Sequence, residues 1–107
     1  IAINPDTNIE NVEKYLEYID ELTVMTVVPG KGGQSLIVDC LDKVKQLRKI
    51  KEMNNLEFDI QVDGGVKKDN IKLVNDAGAD IAVAGTAIFN SENSIQNNLQ
   101  ALMDALR

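Results

Sequence analysis

Asp63 stands at the end of a strand-like run, Phe58 to Val62, and is followed at once by Gly64 and Gly65. A carboxylate in that place, beside amides that no side chain shields, can exchange a proton, ligate a cation, or accept hydrogen bonds from its own turn. The last of these, an Asx-type turn, is the plainest. The same punctuation occurs twice more. Pro29-Gly30-Lys31-Gly32-Gly33 closes the apolar run 22–28, and Ala84-Gly85-Thr86 closes the run 80–84. One glycine after a strand usually supplies a backbone angle and nothing else. Three such turns at corresponding ends of parallel strands share a rim, where their amides and the Asp63 carboxylate can converge on one ligand.

What the chain lacks narrows the chemistry. It has no histidine, so a Ser-His-Asp triad, a Cys-His dyad or a histidine-ligated zinc site cannot be assembled from these residues alone. Acid and base work falls to carboxylates, lysines or tyrosines. The single cysteine, Cys40, shares helical register with Ile37, Leu41 and Val44 and reads as a packing residue. It fits a reducing compartment, and a cytosolic location is expected. Glu10, Glu13, Glu17, Asp39 and Asp42 read as solvated helix faces. The net charge of -6, from 17 acidic against 11 basic residues, argues against nucleic acid or an anionic membrane surface as partner. No apolar stretch approaches the roughly 20 residues of a membrane helix, and nothing at the start reads as a signal peptide. A small-molecule partner is the expectation.

The elements that must hold these residues alternate strictly. Ile1 to Asn4 is a short strand stopped by Pro5, and Thr7 with Glu10 forms a capping box for a helix with Ile9, Val12, Leu16 and Ile19 on its apolar face. Leu22 to Val28 is the second strand. Ile37, Leu41, Val44 and Leu47 then mark a helix that ends at Asn54-Asn55. Phe58 to Val62 leads to a helix over 69–77 with Gly78 as its C-cap, and Asp80 to Ala84 is the fourth strand. A loop through Ile88 and Phe89 precedes a terminal helix striped by Ile95, Leu99, Leu102 and Leu106. Four βα units with short loops imply an α/β fold with a parallel sheet, either open and doubly wound or part of a barrel. Four units make about half of a (βα)₈ barrel of roughly 250 residues. A chain that opens inside a strand is expected to be the C-terminal half of one, with residues 1–107 as a single unit.

Three strings then carry a resemblance: LTVMTVVPGKGGQS at 22–35, IQVDGGV at 60–66 and AGADIAVAGTAIF at 77–89. At these separations they resemble the ribulose-phosphate 3-epimerase family, including its relatives that act on allulose phosphate. The resemblance implies a TIM-barrel isomerase of which this chain holds the last four βα units, strands 5 to 8. It implies interconversion of D-ribulose 5-phosphate and D-xylulose 5-phosphate in pentose phosphate metabolism, through an enediolate formed by proton transfer between two opposed carboxylates. Asp63 matches one of the two, and in the family it also binds a divalent metal, which here could be Zn, Fe, Mn or Co. Gly30, Gly32, Gly33, Gly64, Gly65, Gly85 and Thr86 match substrate-binding positions, the last four chiefly around the phosphate. Met25 matches a strand position facing the active site.

The remaining metal ligands, two histidines and the second aspartate, belong by resemblance to the first half of the barrel, as does a serine of its first strand. The missing N-terminal half is therefore an expected partner, with a phosphorylated ketose as substrate and a homo-oligomer as the assembly. Two positions depart from the family's pattern. Val28 stands where glutamate or asparagine is common, and Lys31 where phenylalanine is common. The first removes a polar group near the site; the second puts a mobile cation, facing phosphate or solvent, on a substrate-covering loop. Another phosphate-binding barrel enzyme, such as a decarboxylase or synthase, and a non-enzymatic half-barrel are the alternatives. The decarboxylase or synthase would not require the VDGG string together with the string at 22–35; upstream sequence decides among the three readings.

Overall fold

The computed structural model describes residues 1–28, 35–90 and 92–106. Within it, β1 (Ala2–Ile3), β2 (Glu21–Met25), β3 (Asp59–Asp63) and β4 (Ile81–Val83) form one sheet in sequence order, every neighbouring pair parallel. The connections are α1 (Cys40–Met53) between β2 and β3 and α2 (Ile71–Ala77) between β3 and β4. A short α3 (Gly85–Ile88) and the longer α4 (Ile95–Ala105) follow β4.

Strand side chains alternate between faces, and register carries that alternation across the sheet. Ile3, Leu22, Val24, Ile60 and Val62 point to one face and are fully enclosed. They share a core with Cys40, Leu41, Val44 and Leu47 of α1, and with Ile71, Val74 and Ala77 of α2. Thr23, Gln61 and Ile81 are aligned on the opposite face, as are Met25, Asp63 and Val83. Among the described residues this second face carries no helix of its own, and all six residues keep solvent access. Met25, matched to a position facing the active site, lies on this open face, whereas its neighbour Val24 packs under the helices. On that face the Gln61 amide donates to the Thr23 hydroxyl at 3.2 Å.

Between β1 and β2 the expected helix is replaced by two 3₁₀ segments, Ile9–Asn11 and Glu13–Tyr18. The capping box does not form. The Thr7 hydroxyl accepts from the Asn4 amide at 3.1 Å instead, and the Thr7 amide donates to the Asn4 carbonyl, closing a turn. Lys43 of α1 fixes that turn by donating to the carbonyls of Asn4, Pro5 and Thr7. The apolar pattern still finds the core, since Ile9 and Leu16 are buried and Val12 and Ile19 pack against it.

Other boundaries shift for local reasons. β2 stops before Thr26, whose carbonyl is taken by the Ile37 amide at 2.7 Å. Gly78 caps α2 as expected, in the left-handed region at φ +113°, where a Cβ would lie 2.8 Å from the Arg48 side chain. Cys40 is enclosed, and burial pushes its thiol up against the downward pull of Lys43, as befits a packing residue. The segment expected as a loop after β4 opens with the helical turn α3. The stripe on α4 is mostly uncovered. Leu102 is buried, whereas Ile95, Leu99 and Leu106 are exposed. An apolar cavity of about 270 Å³ separates α4 from β4 and α2.

The rim at the strand starts is fastened by Asp80, just before β4. Its carboxylate accepts from Lys51 and Arg48 of α1, each at 3.1 Å, and from the Ile60 amide at 2.9 Å. Burial pushes the Asp80 carboxyl up, but the Ile60 amide and the two cations outweigh it and hold the group below its ordinary range. A carboxyl lowered on folding contributes stability at neutral pH that is lost as pH falls through its folded value. In the complete protein, Asp80→Asn is expected to cost about 1 kcal/mol at neutral pH, a figure reduced for partial solvent screening. The difference from the parent should close below roughly pH 4. Denaturant titrations of both proteins across that range check this; a gap that persists at low pH would contradict it.

Candidate active site

Because all strands run the same way, their C-terminal ends and the turns that follow lie on one rim. Asp63 is the last residue of β3, aligned with Met25 on one side and Val83 on the other, half-buried on the open face. Gly64 and Gly65 follow it, and Gly85 stands as far beyond Val83 as Gly65 does beyond Asp63. Asp63, Gly64, Gly65 and Gly85 are thus gathered at two adjacent strand ends. Gly30, Gly32 and Gly33, with Lys31, lie outside the described residues. So does the side chain of Thr86, whose backbone belongs to α3.

The turn after Asp63 is tightly specified. Gly64 has φ +131°, a conformation that side chains rarely adopt. A Cβ there would lie 2.5 Å from Val27 Cγ2 and 3.1 Å from Thr26 Oγ1. The Thr26 hydroxyl donates to the Gly64 carbonyl at 2.5 Å, and the Thr26 amide donates to the Asp63 carbonyl at 3.0 Å. On the other side, Asn70 Nδ2 donates to the Gly65 carbonyl at 2.9 Å while its Oδ1 accepts from the Lys67 amide at 2.8 Å. Gly85 differs. Its φ is not positive and a Cβ would meet nothing within 4 Å, so neither backbone nor packing within the described residues requires glycine there. The short helix it opens is held from behind by Asn98 of α4, a buried amide that donates to the Ile88 carbonyl at 2.8 Å.

Thr26, Asn70 and Asn98 escaped the sequence reading. Asn70 had a usable signal, an asparagine directly before an apolar helical pattern. Thr26 looked like one more β-branched strand residue.

Electrostatically the rim is open. Among the described residues no cation pairs with Asp63, and no three His, Cys, Asp or Glu side chains come together to hold a metal. A carboxylate oxygen is a suitable donor to a divalent cation, so Asp63 can serve as one ligand, but these residues alone do not complete a site.

The sequence model of the ribulose-phosphate 3 epimerase family matches residues 1–89. The chain belongs to that family. It is 44% identical over 89 residues to the ribulose-phosphate 3-epimerase of Serratia marcescens, covering 83% of this chain and 42% of that protein. The ribulose-phosphate 3-epimerase of Schizosaccharomyces pombe is 44% identical over 92 residues, 86% of this chain and 39% of that protein. The one from Escherichia coli K12 is 36% identical over all 107 residues, 45% of its own length. The chain thus spans about two-fifths of the length of the curated relatives it matches. The resemblance drawn from the three strings is borne out at the level of the family. No helix among the described residues is long and apolar enough to cross a membrane.

The two glycines predict different outcomes. In the complete protein, Gly64→Ala should lower folding stability by about 2 kcal/mol or more, through the strained φ and the clash with Val27. Gly85→Ala should leave stability within about 1 kcal/mol of the parent. Thermal unfolding of the two variants side by side decides it; equal losses would remove the distinction.

Proposed function

We propose that this chain is the C-terminal half of a barrel enzyme, strands 5 to 8, that interconverts D-ribulose 5-phosphate and D-xylulose 5-phosphate. The observation that carries the reading is the place of Asp63. It ends β3 on the face opposite α1 and α2, half-buried beside Met25 and next to a glycine turn, in a chain of the epimerase family. A carboxylate there can remove the proton from the carbon beside the ketone and return one to it in the reverse direction. Epimerisation needs a second acid on the opposite face of the substrate, which the other half of the barrel supplies. A divalent metal held in part by Asp63 would stabilise negative charge on the enediolate oxygens when bound.

The glycine turns take the phosphate. Glycine at 85, which no contact among the described residues demands, leaves room for phosphate oxygens to approach the backbone, and the turn at 64–65 lies on the same rim. Met25 and the half-buried Thr23–Gln61 pair form the floor beneath Asp63. The acid-base and phosphate groups thus stand on adjacent strands, as a small phosphorylated ketose requires. The protein works in the cytosol as a homo-oligomer.

Asp63→Asn in the complete protein should keep the fold and lower ribulose 5-phosphate turnover by about 10²-fold or more, since an amide of the same shape cannot take the proton. Retention of more than a few per cent of the parent's rate, in a protein with unchanged circular dichroism, would take Asp63 out of the acid-base role. Assaying allulose 6-phosphate alongside tests the consequence of Val28 and Lys31 for substrate choice.

Residues 1–107 expressed alone should self-associate. The open face bears Met25, Ile81 and Val83, and α4 leaves Leu99, Met103 and Leu106 exposed, apolar surface that a partner normally covers. Light scattering should show species larger than a monomer without epimerase activity, and mixing with the N-terminal half should restore activity. A monomer with substantial turnover would overturn the half-barrel reading.

A further inference from the structure

Thr26 is fully enclosed and, with Asn98, is one of two buried polar residues among the described residues. A hydroxyl in such surroundings is unfavourable unless bonded, and valine has the same shape, so packing alone gives no reason for threonine. What the hydroxyl adds is direction. The carbonyl and N–H of a trans peptide point opposite ways, and no peptide among the described residues is cis. A Gly64 carbonyl turned onto Thr26 Oγ1 at 2.5 Å therefore turns the Gly65 N–H away from the enclosed threonine. Gly64 cannot orient this peptide through a side chain of its own, because Val27 occupies the place of its Cβ. The neighbouring bonds are backbone bonds, Thr26 N–H to Asp63 carbonyl and Ile37 N–H to Thr26 carbonyl, and they survive any substitution at 26 that keeps the strand. The hydroxyl is the separable element.

We propose that Thr26 is a positioning residue for phosphate recognition: by holding the Gly64 carbonyl, its hydroxyl aims the Gly65 N–H at the phosphate of the ketose. The proposal rests on the phosphate role given above to the turn at 64–65, and it names what orients that turn. A donor fixed before the ligand arrives needs no reordering on binding. A Gly64–Gly65 peptide released from Thr26 must be reordered each time. Because the proton is moved by Asp63, the loss falls on phosphate binding and spares the proton-transfer step.

The test uses the complete protein with Thr26→Val and Thr26→Ser, measuring kcat and KM for ribulose 5-phosphate and the inhibition constant of inorganic phosphate. Thr26→Val should raise both KM and the inhibition constant on the order of tenfold, as for the loss of one well-placed hydrogen bond, with kcat within about twofold of the parent. Thr26→Ser, which keeps the hydroxyl, should bind phosphate as the parent does. A folded Thr26→Val protein with both constants unchanged overturns the proposal. So does a Thr26→Ser protein that loses phosphate affinity, whether or not the valine variant folds. A parent whose turnover inorganic phosphate does not inhibit sinks the phosphate reading of the turn, and the role of Thr26 with it.

Discussion

Parallel pairing of all four strands is the constraint on which the rest depends. Parallel strands cannot be joined by tight hairpins, so each connection must cross back over the sheet, and right-handed crossovers deliver successive helices to the same side. α1 and α2 cover one face and bury its Leu, Val and Ile residues; the other face is left to Thr23, Met25, Gln61, Asp63, Ile81 and Val83. The same constraint puts every strand end on one rim. A carboxylate at the end of β3 and a glycine after β4 then become neighbours although they lie far apart in the chain. The fold positions chemistry through direction and register before any side chain contact is considered.

Much of this was legible because it depends on period and punctuation. Alternation in the strands, the stripe of α1 and the glycine cap of α2 each reflect a local rule that the packed chain obeys. Failures came where a distant partner decided. Thr7 has the sequence of a helix cap, but its hydroxyl is engaged by Asn4 and the turn is held by Lys43, nearly forty residues away in the chain. Leu99 and Leu106 have the spacing of a buried stripe yet remain exposed, since a hydrophobic pattern says that a face wants cover and not whether the cover is present. Asp63 and the glycines after it were visible as a candidate site. The residues that support them were not, because Thr26 and Asn70 act through long or looping hydrogen bonds to backbone carbonyls that leave no periodic mark.

Two aspartates on opposite rims show how one residue type is put to different uses. Asp80, at the strand starts, is surrounded by Lys51, Arg48 and the Ile60 amide, and each bond both lowers its carboxyl and removes its freedom to act on anything else. Asp63, at the strand ends, is fixed through its backbone: the Thr26 amide takes its carbonyl, and the glycine turn that follows is clamped by Thr26 and Asn70. Among the described residues no cation claims its carboxylate. A group held by its main chain, with no cation on its side chain among the described residues, is open to proton exchange or to a cation in a way that a group neutralised by fixed partners is not. Fixed ion pairs are therefore gathered at the rim of the strand starts, and a carboxylate without a cation partner among the described residues stands at the other. Hydrogen bonds from Thr26 and Asn70 to the carbonyls of Gly64 and Gly65 order the turn without covering the Asp63 carboxylate, which keeps solvent access.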